Sequence, residues 1–133
     1  MAKAQKATLL VVDDKRANQL ALAAVLEGDY EMLFADSGAA AIAVLKTRAD
    51  VAVILMDVHM PGSDGIEATR RIRTAEAEQG LTRTPIIALT ANALEEEREA
   101  CRLAGMDGFL TKPLDRERLK AALAALPAAS LAA

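Results

Sequence analysis

Three carboxylates, a hydroxyl and an ammonium in this chain follow a common rule of position. Asp13 and Asp14 come directly after the apolar run Thr8–Val12, and Asp57 directly after Val51–Met56. Thr90 follows Pro85–Leu89, and Lys112 comes just beyond Gly108–Leu110. If these runs are strands of one sheet, all five groups fall at strand ends on the same edge. Two like charges about 4 Å apart repel by about 4 kcal/mol at an effective dielectric of roughly 20. Gathered carboxylates must therefore protonate, stay hydrated or bind a cation. Hard, oxygen-only donors favour Mg²⁺, which keeps several waters and takes few protein oxygens. Such an ion is suited to bridging a phosphoryl group. Asp57 stands at the centre, where a carboxylate can act as a nucleophile and form an acyl phosphate. Lys112 can pair with that carboxylate and with phosphoryl oxygens as a point charge. Thr90 can donate a hydrogen bond to the same group.

The elements that would position these groups are legible. Five runs read as strands: Thr8–Val12, Glu31–Ala35, Val51–Met56, Pro85–Leu89 and Gly108–Leu110. Between them the apolar period is helical. Ala17, Leu20, Ala21, Ala24 and Val25 share one helix face, as do Leu119, Ala122, Leu123 and Leu126. Ser37, Asp64 and Asp115 suit N-caps, and Asp64 with Glu67 resembles a capping box. Pro127 stops the last helix, and the small, uncharged tail after it should fray. Strand and helix alternate five times, which predicts an α/β domain with a parallel sheet covered on both faces. Thr8–Val12 and Val51–Met56 are apolar throughout, as central parallel strands should be, while the short Gly108–Leu110 suits an edge. In such a sheet, ligands sit beyond the carboxyl ends of the strands, where Asp13, Asp14, Asp57, Thr90 and Lys112 fall.

Length and composition set the frame. The 133 residues fit one domain, large enough to bury a core without staples. Aromatic residues make up 2% of the chain against 53% hydrophobic, so alanine fills the difference and helices should pack closely. The net charge of −3, with no Lys/Arg block, argues against a direct nucleic-acid surface. One cysteine, Cys101, permits no intrachain disulfide and suits a reducing compartment. No apolar run reaches the roughly 18 residues of a membrane span, and residues 1–6 carry no signal core. A soluble, cytoplasmic protein is expected.

Each residue also has an ordinary reading. An Asp closing a strand is commonly a turn or cap residue, a Thr after a strand is unremarkable, and Lys-Pro is often just loop. Cys101 reads as a small helix residue, and Glu95-Glu96-Glu97-Arg98-Glu99 as a solvated helix face. The weight lies in all five polar groups falling on one edge.

With those residues in view, the chain resembles the receiver domain of two-component response regulators, and most of all the receivers of hybrid sensor histidine kinases. The marks are Leu10-Val11-Val12-Asp13-Asp14, Ile54-Leu55-Met56-Asp57-Val58-His59-Met60-Pro61-Gly62, Ile87-Ala88-Leu89-Thr90-Ala91 and Phe109-Leu110-Thr111-Lys112-Pro113. The resemblance covers nearly the whole chain, with residues 1–6 as an N-terminal tail, 7–126 as the receiver and 127–133 as a C-terminal tail. It implies a flavodoxin-like (βα)5 fold with strand order 2-1-3-4-5. Asp57 would be the phosphoacceptor; Asp13 and Asp14 would hold Mg²⁺, Asp14 more directly, with the His59 backbone carbonyl completing the protein ligands. Thr90 would be the switch hydroxyl, Phe109 the switch aromatic and Lys112 the phosphoryl contact, its bond to Pro113 cis. The donor would be a histidine kinase or histidine phosphotransfer domain. A downstream partner would read the face of helix four, strand five and helix five, and the chain would be a monomer or a phosphorylation-dependent dimer. Those relatives often carry Asn at the position of Lys15, which lies beside the metal site and is not an expected ligand.

Other classes fit less well. A haloacid-dehalogenase-like phosphatase also uses an Asp nucleophile with Mg²⁺, Thr and Lys, but needs a second Asp where His59 stands. A nucleotide-binding protein would need the phosphate loop Gly-x-x-x-x-Gly-Lys-Ser/Thr, which is missing. Asp13-Asp14-Lys15 would repel a flavin phosphate. The reading is of a signalling phosphoacceptor and not of an enzyme. Within these 133 residues no DNA-binding or catalytic domain is expected after residue 126, and the chain reads either as a standalone regulator or as a piece of a larger kinase.

Overall fold

The computed structural model describes residues 7–26, 28, 30–48, 50–58, 65–81, 83–91, 94–111 and 116–124. Strands and helices alternate: β1 (Thr8–Val12), α1 (Arg16–Leu26), β2 (Glu31–Ala35), α2 (Gly38–Thr47), β3 (Val51–Asp57), α3 (Gly65–Gln79), β4 (Ile86–Thr90), α4 (Glu95–Ala104), β5 (Gly108–Thr111) and α5 (Arg116–Ala124). The strands form one parallel sheet in the order β2-β1-β3-β4-β5. The alternation implies the doubly wound parallel sheet, and the strand order is the flavodoxin-like one that the resemblance implies.

Because successive strand residues point to opposite faces, the continuous apolar runs feed two cores. Leu10, Val12, Ile54, Met56, Ile86 and Ala88 pack with Ala41, Ala68, Ile72 and Cys101 of α2, α3 and α4. Leu9, Val11, Val53, Leu55, Ile87 and Leu89 pack with Leu22, Leu26, Leu119 and Leu123 of α1 and α5. Strand ends run one residue beyond their apolar runs at Asp57, Thr90 and Thr111, because ladder bonding is indifferent to side-chain polarity. Pro85 stands just ahead of β4, with no N–H to give, and its carbonyl accepts from Ile54 N–H at 2.8 Å.

Two local features differ from simple expectation. The apolar stripe of α1 faces outward: Ala17, Leu20, Ala21 and Ala24 are exposed, whereas Gln19, Leu22 and Leu26 are buried. Only Val25 of that stripe packs against the core. Alanine carries little signal of inside or outside, and the larger Leu22 and Leu26 take the core side. The second feature is a register shift between β1 and β3, where Thr8 pairs with Val51 but Leu9 pairs with Val53. The extra residue, Ala52, brings Val12 level with Met56. Continued one step, that register sets Asp57 beside Asp13.

Ser37 caps α2 as expected, its hydroxyl accepting from Ala40 N–H at 3.1 Å. Asp64, Asp115, Leu126 and Pro127 lie outside the described residues.

Candidate functional site at the carboxyl edge of the sheet

Asp13 follows β1 and is buried. Its backbone is fixed from both sides: its N–H donates to the Ala35 carbonyl at 3.0 Å, and its carbonyl accepts from Gln19 Nε2 at 2.7 Å. Its Oδ1 accepts from Lys15 N–H at 2.9 Å, with Asn18 Nδ2 further off at 3.5 Å. Asp14 is half-buried. Asp57, the last residue of β3, is 4% exposed. One carboxylate oxygen from each of the three lies within 4.8 Å of the others.

Asp14 Oδ1 is shielded from solvent and has no hydrogen-bond partner among the described residues. Buried polar atoms are nearly always paired, and leaving one unpaired costs about 1–3 kcal/mol, more for a charged group. An orphaned carboxylate oxygen beside two further carboxylates suits a hard cation, and the all-oxygen donor set fits Mg²⁺ or a similar ion.

Thr90, the last residue of β4, is fully buried. Asp57 pairs with Leu89 across the β3–β4 ladder, so Thr90 stands one step further along the neighbouring strand. Its Oγ1 lies 2.5 Å from Glu97 Oε1 on α4. Phe109 pairs with Ala88 on the next strand and packs against the α2–α3–α4 core. The Arg98 guanidinium carbon sits 5.2 Å from its ring centroid, within cation–π range. The charge run Glu95–Glu99 is thus not simply a solvated face: Glu97 is half-buried against Thr90 and Arg98 covers Phe109.

The structure therefore brings Asp13, Asp14 and Asp57 together and sets Thr90 beside them. Lys112, Pro113 and His59 lie outside the described residues. Sequence reasoning missed Gln19, Glu97 and Gly65. For Gln19 a signal existed, since positions 19, 22 and 26 share a helical face and the other two are core leucines. Gly65 is forced by contact: a Cβ there would lie 2.3 Å from the Asp57 carbonyl oxygen. Its own N–H donates to the Val58 carbonyl at 2.9 Å, so α3 starts against the backbone at the end of β3.

The chain is thus a doubly wound α/β domain with a carboxylate trio, able to hold a cation, at the carboxyl ends of its central strands. Residues 9–124 match the family model of the response regulator receiver domain, and the chain belongs to that family, the receivers of two-component systems. Among its relatives is the sensor protein GacS of Pseudomonas syringae pv. syringae, 41% identical over 112 residues. That match takes in 84% of this chain but only 12% of GacS, so the chain spans a small part of that kinase's length. The receiver domain of the sensor histidine kinase PA1611 from Pseudomonas aeruginosa PAO1, solved with magnesium coordinated in its active-site cleft, superposes with a TM-score of 0.75. It is 39% identical, and the match covers 90% of this chain and 95% of that one. A Saccharomyces cerevisiae complex of the histidine phosphotransfer protein Ypd1 with the receiver domain of Ssk1 matches with a TM-score of 0.78 and 28% identity, over 90% of this chain and 87% of that one. The haloacid-dehalogenase alternative finds no support in the family match. No helix among the described residues is long and apolar enough to cross a membrane.

Proposed function

We propose that this domain accepts a phosphoryl group from a phosphohistidine onto Asp57 and relays that event to a partner. The observation that carries the reading is the carboxylate trio with its orphaned Asp14 oxygen. In the transfer, an Asp57 carboxylate oxygen attacks phosphorus. The P–N bond to the donor breaks as the P–O bond forms, and the imidazole nitrogen keeps the electron pair and takes up a proton. Mg²⁺, held by Asp13, Asp14 and Asp57 with the His59 carbonyl, would supply charge neutralisation for the phosphoryl oxygens. Lys112 would pair with the same oxygens, and the Lys112-Pro113 bond would be cis. The chain itself is a phosphoacceptor rather than an enzyme, and its setting is cytoplasmic.

The donor is a histidine kinase or histidine phosphotransfer domain. The outward stripe of α1, Ala17, Leu20, Ala21 and Ala24, starts right after the acidic turn. A donor helix laid on it brings its phosphohistidine over the site. The receiver–phosphotransfer complex of Ypd1 with Ssk1 supports a partner of this kind. After transfer, Thr90 turns its hydroxyl to a phosphoryl oxygen and Phe109 moves into the space released. The face of α4, β5 and α5 then changes for a downstream partner. Phosphate biases this only through its differential interaction with the two states. A full reversal from 1:99 to 99:1 takes about 5.5 kcal/mol, so partner binding completes a partial shift.

The test is direct. Acetyl phosphate with Mg²⁺ should label Asp57, located by mass spectrometry of peptides, and Asp57→Asn should abolish labelling while remaining folded. A phosphoryl group found on another residue contradicts the reading.

A further inference from the structure

We infer that Glu97 is a positioning residue that holds the Thr90 hydroxyl away from the acceptor site and so acts as a brake on phosphoryl-driven switching. The inference rests on the reading above, in which Thr90 serves Asp57. Its basis is stoichiometric. An ionised carboxylate only accepts hydrogen bonds, and a threonine hydroxyl carries one proton. At 2.5 Å from Glu97 Oε1, Thr90 Oγ1 must therefore donate that proton to Glu97. The same proton cannot serve a phosphoryl oxygen at Asp57. Switching thus exchanges one charge-assisted hydrogen bond for another, and the gain from phosphorylation is reduced by whatever the Thr90–Glu97 bond contributes. Thr90 is wholly buried and Glu97 half-buried, which shields the bond from competition by water.

The neighbouring residue extends the device. Arg98 follows Glu97 on α4 and lies over the Phe109 ring. Two consecutive residues of one helix turn thereby hold Thr90 and Phe109, the two side chains that the switch must move. Losing the Glu97 bond loosens the turn that also carries Arg98. The acidic run of α4 then has a specific use at its third position, while Glu95 and Glu96 remain exposed. The brake acts before phosphorylation and sets how far the unphosphorylated domain samples the switched form.

The experiment is a double-mutant cycle on the full chain, with calorimetric titration of beryllofluoride in Mg²⁺ buffer as the probe. Glu97→Ala should tighten binding by about five- to ten-fold, just under the range a hydrogen bond to a charged group contributes. Glu97→Gln, which keeps the shape and can still accept a bond, should fall between. In a Thr90→Ala background Glu97→Ala should change nothing, a dependence that a general effect on α4 stability would not show. NMR of unliganded Glu97→Ala should move the Phe109 ring resonances toward their beryllofluoride positions. Unchanged or weaker binding by Glu97→Ala with Thr90 present overturns the brake, as does an equal gain in the Thr90→Ala background. Wild type that shows no Asp57-dependent binding overturns the phosphoacceptor reading and the brake with it, so the two failures are told apart by the wild-type titration.

Discussion

Gly65 opens α3 with its α-carbon pressed against the backbone of Asp57, so close that a Cβ would meet the Asp57 carbonyl oxygen at 2.3 Å and the Val58 Cα at 2.9 Å. Neither neighbour is the yielding end of a flexible side chain. Gly65→Ala should therefore shift the end of β3 or the start of α3. A destabilisation of about 3 kcal/mol is expected, the upper part of the range for overpacking, together with weakened Mg²⁺ binding. Urea unfolding and a Mg²⁺ titration of the folded variant check both effects. A variant as stable as wild type would show that the contact is readily relieved.

The carboxylate trio makes a prediction with opposite signs in the two states. Asp14→Asn removes one charge from a cluster whose ligand oxygens lie within 4.8 Å. Without Mg²⁺ the variant should be more stable than wild type by about 1 kcal/mol, a fraction of the roughly 4 kcal/mol repulsion of a close pair at an effective dielectric near 20. With millimolar Mg²⁺ the order should reverse, because only wild type gains from the ion. Thermal melts with and without Mg²⁺ read this. Asp14 is a cleaner probe than Asp13, whose Oδ1 already accepts from Lys15 N–H.

At the opposite edge of the sheet, Arg73 ties α3 to the β4 and β5 entries. Its guanidinium donates to Glu76 Oε1 at 2.8 Å, the Thr84 carbonyl at 2.7 Å, the Gly105 carbonyl at 2.8 Å and Asp107 Oδ2 at 3.0 Å. Glu76 is buried, and its other oxygen accepts from Thr84 N–H at 2.7 Å. Gly105, in the left-handed conformation at φ 111°, turns its carbonyl into this cluster at the end of α4. Arg73→Ala leaves Glu76 buried without its cation and should cost about 3–5 kcal/mol. Arg73→Lys should recover little, since an ammonium cannot reproduce a planar fork of donors. Denaturant unfolding gives the stability, and acetyl phosphate labelling of Asp57 in the folded fraction should persist, since the cluster is remote from the acceptor.

Sequence patterning revealed the sheet because β1, β3 and β4 are buried on both faces and so read as unbroken apolar runs. The acids were legible for the same reason: each breaks such a run at its carboxyl end. What stayed hidden depends on contacts between distant residues. The Ala52 register shift that levels Asp57 with Asp13 leaves no mark in a run of Val, Ala and Ile. The Glu97–Thr90 bond needs α4 laid beside β4, and within Glu95–Glu99 no glutamate looks different from its neighbours. On α1, an alanine-rich stripe fits a core face as well as an open one, and only the placement of Leu22 and Leu26 decides which it is.

That open stripe gives the last prediction. Leu20 is 54% exposed on α1, flanked by Ala17, Ala21 and Ala24, which are exposed too. Large apolar side chains left in water beside small ones mark contact surfaces when they are contiguous. If a donor helix lies here, Leu20→Lys should slow phosphoryl transfer from a histidine phosphotransfer protein, by roughly five- to thirty-fold for a loss of about 1–2 kcal/mol at a central apolar contact. The substitution is at an exposed helical position where lysine is well tolerated, so the fold should be unaffected. Acetyl phosphate is too small to use the surface, and its labelling of Asp57 should proceed at the wild-type rate. The comparison of the two donors separates docking from chemistry. Equal slowing with both would place the defect at the acceptor site, and no slowing with either would move the donor surface off α1.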